Sequence, residues 1–97
     1  MKLYVDDLRA IPPGWTGART VADAIALLDG ENVEEVSLDY VIGDSFDENF
    51  APVARHIAAM PPARRPRTVR LHTSSAAGAR ALESILRGAV EQIHFLT

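Results

Sequence analysis

The chain has 97 residues, 47% hydrophobic and 24% charged, which is the composition of one small globular domain rather than a disordered segment. It contains no cysteine, so disulfides, thiolate metal sites and thiol catalysis are excluded, and its net charge of −3 argues against non-specific nucleic-acid binding. With no signal-peptide pattern at the amino terminus and no apolar run long enough to span a bilayer, a soluble cytoplasmic protein without membrane contact is expected.

Lys2 to Asp6 reads as a strand whose near-continuous apolar run, Leu3-Tyr4-Val5, suits a parallel strand buried on both faces. The run stops abruptly in two acids, Asp6 and Asp7. Ile11-Pro12-Pro13-Gly14 cannot be helical, because paired prolines remove amide donors and push the preceding residue to extended geometry. Trp15 to Arg19 is then a short edge strand, with Trp15 packing against the core in preference to stacking on a ligand.

Thr20 opens the first predicted helix, with Asp23 at the capping-box position, Val21, Ile25 and Leu28 on one stripe and Gly30 as the stop. Val36-Ser37-Leu38-Asp39 is a second buried strand that also ends in a carboxylate. Tyr40 to Asn49, with Gly43 and three acids, reads as a loop. A second helix starts near Phe50, tolerates Pro52 in its first turn, carries Val53, Ile57 and Met60 as its apolar stripe, and ends at Pro61-Pro62. Arg67 to His72 is a third central strand. Ser75 caps a helix carrying Leu82, Ile85 and Leu86 that ends at Gly88, and Val90 to Leu96 alternates as a further edge strand.

This order predicts an α/β domain: a flavodoxin-like three-layer sandwich around a parallel sheet of four or five strands ordered 2-1-3-4-5. Its first crossover helix is replaced by the proline-rich loop. Charge is unevenly spread, with eight acids and no base from Asp29 to Glu48, then Arg64, Arg65, Arg67 and Arg70 close together. That arginine group is either a solvated loop or an anion-facing patch.

In such a sheet Asp6, Asp7, Asp39 and the segment His72-Thr73-Ser74-Ser75 reach the same carboxyl edge, where open α/β sheets bind ligands. Converging carboxylates repel one another unless a cation or proton sits among them, and Mg²⁺ or Mn²⁺ with hard oxygen ligands is the natural solution. The helix beginning at Ser75 aims free amides at the same region, which suits an anion. His72 could serve as acid or base on a leaving oxygen. Each element also has a structural reading, as turn cap, hydrogen-bonded core histidine or helix cap. Asp39 resists that reading most, because burying an unpaired carboxylate is costly.

The motifs Val5-Asp6-Asp7-Leu8-Arg9, Gly14-Trp15, Arg19-Thr20, Ser37-Leu38-Asp39-Tyr40-Val41-Ile42-Gly43 and His72-Thr73-Ser74-Ser75-Ala76-Ala77-Gly78 resemble, in order, those of cyclic-phosphate processing receiver domains, a response-regulator-like family. The resemblance spans about residues 2 to 87. It implies a metal-dependent phosphoesterase acting on a cyclic phosphate of a nucleotide or RNA end. Asp6, Asp7 and Asp39 would hold the metal; His72 and Thr73 would handle the phosphate or leaving group, Ser74 and Ser75 would help bind it, and Arg9 would neutralise its charge.

The chain departs from the family pattern at Tyr40 and Val41, where the family has His and Asp, and at Ser75, where it has Asn. Those changes favour an alternative: a catalytically degenerate module that binds a small anionic ligand or a protein partner. Phospho-acceptor signalling at Asp39 lacks the lysine that receivers carry after the fifth strand, since Lys2 is the sole lysine.

Overall fold

The computed structural model describes residues 1–43 and 45–96, with backbone alone at 45–47. Strands β1 (Lys2–Val5), β2 (Thr16–Ala18), β3 (Glu35–Leu38), β6 (Thr68–Leu71) and β7 (Gln92–Phe95) form one sheet in the order β2-β1-β3-β6-β7. Every pairing in it is parallel. Helices α1 (Val21–Gly30), α2 (Ala51–Ala59) and α3 (Ala76–Leu86) make the crossovers. This is the receiver-like order expected from the sequence, and the segment from Val90 does supply the fifth strand.

The register divides the sheet into two unlike faces. Because side chains alternate along a strand, Leu3, Val5, Val36, Leu38, Val69 and Leu71 share one face, and all are buried. The three helices lie side by side over it, α2 between α1 and α3. Ala24 and Leu28 of α1, Val53 and Ile57 of α2, and Leu82 and Leu86 of α3 complete the core. In α1 the buried stripe centres on Ala24 and Leu28 rather than on Ile25, which is half-exposed.

The opposite face carries Tyr4, Ser37 and Arg70 in one row. The layer over it is the loop between β1 and β2, as loss of the first crossover helix requires. Trp15 meets Tyr4 edge-on with ring centroids 6.1 Å apart, and Lys2 lies 5.6 Å from the Trp15 ring. Ile11 closes on Gly17, where a Cβ would sit 2.5 Å from its side chain.

Caps fall where the residue types put them. The Thr20 hydroxyl accepts from the Asp23 amide, and the Ser75 hydroxyl accepts from the Gly78 amide. The clustered arginines do not form an anion patch. Arg64 donates to the Leu28 and Asp29 carbonyls at the end of α1, Arg65 to the Ala58 and Met60 carbonyls at the end of α2. Arg67 pairs with Glu91 and Arg70 with Glu35.

One expected loop is ordered differently. Val41–Ile42 (β4) and Ser45–Asn49 (β5) pair antiparallel as a small hairpin, turning at Gly43 with φ of +63°. Of its three acids, Asp44 and the side chain of Asp47 lie outside the described residues.

The hairpin's first neighbour, Tyr40, packs its ring against Gly78, where a Cβ would lie 2.6 Å from the ring. Gly78→Ala is therefore expected to lower stability by about 1–3 kcal/mol in chemical denaturation. A much smaller loss is expected in a Tyr40→Ala background, since the clash is what couples the two positions.

Candidate functional site

Val5, Ala18, Leu38, Leu71 and Phe95 are register partners at the carboxyl ends of the five strands. The next residues continue the ladder: the amides of Asp6, Asp39, His72 and Leu96 donate to Ala18, Val5, Leu38 and Leu71 carbonyls respectively. Asp6, Asp39 and His72 are thereby placed side by side. A ligating atom from each lies within 4.8 Å of the other two.

Asp6 is buried, with 1% of its surface exposed. Its Oδ1 accepts from the Leu8 and Arg9 amides, both at 2.9 Å, and its Oδ2 accepts from His72 Nε2 at 2.9 Å. Burial pushes its pKa up, but the Arg9 and Leu8 amides and the imidazole together hold it below its ordinary value. Asp6 is therefore an anion at neutral pH. An anionic Oδ2 can only accept, so His72 Nε2 carries a proton, and neutral His72 accepts the Ser37 hydroxyl at Nδ1, 2.7 Å away. Burial also holds the His72 pKa below its ordinary 6.5, against the pull of Asp6. The ring stacks on Tyr4 at 4.5 Å between centroids.

Asp39 lacks comparable support. Its Oδ1 accepts from the Tyr40 amide at 2.8 Å. Burial first, and then the negative charge of Asp6, raise its pKa above the ordinary value. A carboxylate pair with this imbalance fits a hard cation, which both would ligate through oxygen. His72 fits differently, since its Nε2 proton is committed to Asp6 and so it orients a carboxylate from behind. Asp7 stands apart from the converging set: its Oδ2 accepts from the Gly43 amide at 2.8 Å, and it borders the same crevice.

That crevice, of about 540 Å³, is lined by Asp6, Asp7, Asp39, Arg9 and the Thr73–Ser75 segment, with Leu8, Val41 and Gly43 completing it. Arg9 donates to the His72 carbonyl at 2.5 Å, and its Nε lies 3.8 Å from Asp6 Oδ2. Thr73 Oγ1 accepts from the Ser75 amide at 3.1 Å, while Ser74 is exposed. The Thr73 and Ser75 hydroxyls thus serve as caps and keep their protons for an anion. Ser37 was not expected as a site residue. Its position two before Asp39 puts it on the same sheet face, and that spacing is the signal that could have found it.

His72→Ala, which removes a hydrogen-bond partner of a buried anion, is expected to cost about 3–5 kcal/mol in chemical denaturation. The unfolded chain protonates His72 near 6.5 while the folded chain does not. This contribution to stability is therefore full above that pH and falls as pH drops below it. Asp6 adds a further loss below 3.8, whereas raised Asp39 acts oppositely, favouring the folded state while it holds its proton. Denaturation midpoints at pH 7.5 and 5.5 are expected to separate in wild type and to converge in His72→Gln.

No helix among the described residues is long and apolar enough to cross a membrane. A search of curated proteins gave no match. The family model for the cyclic-phosphate processing receiver domain matches residues 1–88, which include Asp6, Asp7 and Asp39, Arg9, His72 and the serines of the crevice. With most of its length matched, the chain belongs to the cyclic-phosphate processing receiver domain family.

Proposed function

We propose that this receiver-like domain binds a cyclic phosphodiester, of a nucleotide or an RNA end, together with a divalent cation, and hydrolyses it. The observation carrying this reading is the convergence of Asp6 and Asp39 on one crevice with Arg9 and the Thr73–Ser75 helix start. Asp39 and Oδ2 of Asp6 would hold Mg²⁺ or Mn²⁺, with Asp7 at the rim. Such an ion, when bound, supplies Lewis-acid polarisation of a phosphoryl oxygen or water.

The chain's own groups do the rest. The guanidinium of Arg9 neutralises phosphate charge. The hydroxyls of Thr73, Ser74 and Ser75, with the amides of the first turn of α3 that lack helical acceptors, hold the phosphate oxygens. His72 is a positioning residue: with both ring nitrogens engaged by Asp6 and Ser37, it fixes Asp6 rather than exchanging protons with a leaving group. That same engagement favours a second reading, a module that binds the phosphate without turnover.

A panel of 2′,3′-cyclic nucleotides assayed with Mg²⁺ or Mn²⁺ separates the two. Turnover in wild type, absent in Asp39→Asn and Asp6→Asn and lowered about 10–100-fold in His72→Gln, is the expected result. No product from any substrate would sink the hydrolase reading. Ligand-dependent melting shifts without product would establish the binding module.

A further inference from the structure

A second pocket, of about 780 Å³, adjoins the acidic crevice and shares Arg9 and the Thr73–Ser75 segment with it. Its remaining wall is different in kind. Leu71, Ala76, Ala79, Phe95 and Leu96 make it apolar, Arg80 adds a second cation, and no carboxylate among the described residues lines it. Phe95 and Leu96 are 54% and 41% exposed, which leaves the Phe95 ring available. Phe95 ends β7 and Leu96 follows it, both beyond the segment that the family model matches.

Resting on the phosphate reading above, we propose that this pocket is the subsite for the nucleobase of a nucleoside phosphate, with Phe95 as its stacking platform. The phosphate sits on Arg9 and the start of α3, and the base extends over Ala76 and Ala79 toward Phe95. The volume falls within the ordinary range of small-ligand pockets. Two arginines, with no acid among the described lining residues, suit an anionic ligand, and the apolar wall suits a planar ring that a bare phosphate does not carry. Register is what joins the two halves. Phe95 pairs with Leu71, one residue before His72, so the platform stands at the same sheet edge as the phosphate groups.

The test uses two probes that the proposed reaction does not turn over, adenosine 3′-monophosphate and the base-free methyl riboside 3′-phosphate, titrated calorimetrically in Mg²⁺. The nucleotide is expected to bind at least about fivefold more tightly, the lower end of what aromatic stacking contributes. Phe95→Ala should erase that difference while leaving the base-free probe and the melting temperature unchanged, and Phe95→Trp should restore it. Equal binding of the two probes, or a preference that survives Phe95→Ala, overturns the subsite and leaves the phosphate reading standing. Binding of neither probe overturns both. Concentration-dependent self-association abolished by Phe95→Ala, with no nucleotide preference, also overturns the subsite and gives this face to a second copy of the chain.

Discussion

A carboxylate almost completely removed from water, at the end of a central strand, is the constraint on which the rest of this site depends. Asp6 would be prohibitively costly there unless its lone pairs were filled. The chain fills them with three donors: the turn that follows supplies the Leu8 and Arg9 amides, and a strand two places away supplies His72. That solution commits the imidazole, draws Ser37 in behind it and uses Tyr4 as a stacking floor. Asp39, one strand over, receives much less support and so feels the charge of Asp6. The crevice thus has one settled carboxylate and one that gains from a positive ligand.

The parallel register turns this local solution into a site. Placing strand ends in step puts Asp6, Asp39, His72 and Leu96 in adjacent positions, and the same alternation sends the apolar residues to the helical face. Packing and chemistry are therefore separated by parity along each strand. The helices stabilise the sheet from one side, while the Ile11–Trp15 loop covers Tyr4 and Gly17 on the other. Loss of a crossover helix leaves the polar core of the site under a loop rather than beneath a second helical layer.

Much of this was legible in the residues, for physical reasons that can be named. Short apolar runs ending in Asp6, Asp39 and His72 announce both buried strands and a charged sheet edge, so the fold and the meeting of those groups follow from one pattern. The hairpin after Asp39 was not legible, because Ser45–Asn49 is polar and acidic and has no β-favouring alternation. The committed state of His72 was hidden as well. Sequence shows a histidine at a strand end but not that both its nitrogens are occupied, which depends on Ser37 in the adjacent strand β3 and Asp6 at the end of β1. The arginine-rich segment misled in the other direction, since helix carbonyl ends rather than an anion take up Arg64 and Arg65.

The imbalance between Asp6 and Asp39 is the centre of this account, and it can be tested without knowing a substrate. Melting temperatures would be compared for wild type and Asp39→Asn, each with and without millimolar Mg²⁺ or Mn²⁺, since a ligand that binds only the folded state must stabilise it. Asp39→Asn is expected to melt no lower than wild type in chelator, because it removes a carboxylate that burial disfavours, and the cation is expected to raise wild type alone. A wild type indifferent to both cations, or an equal rise in Asp39→Asn, would contradict it.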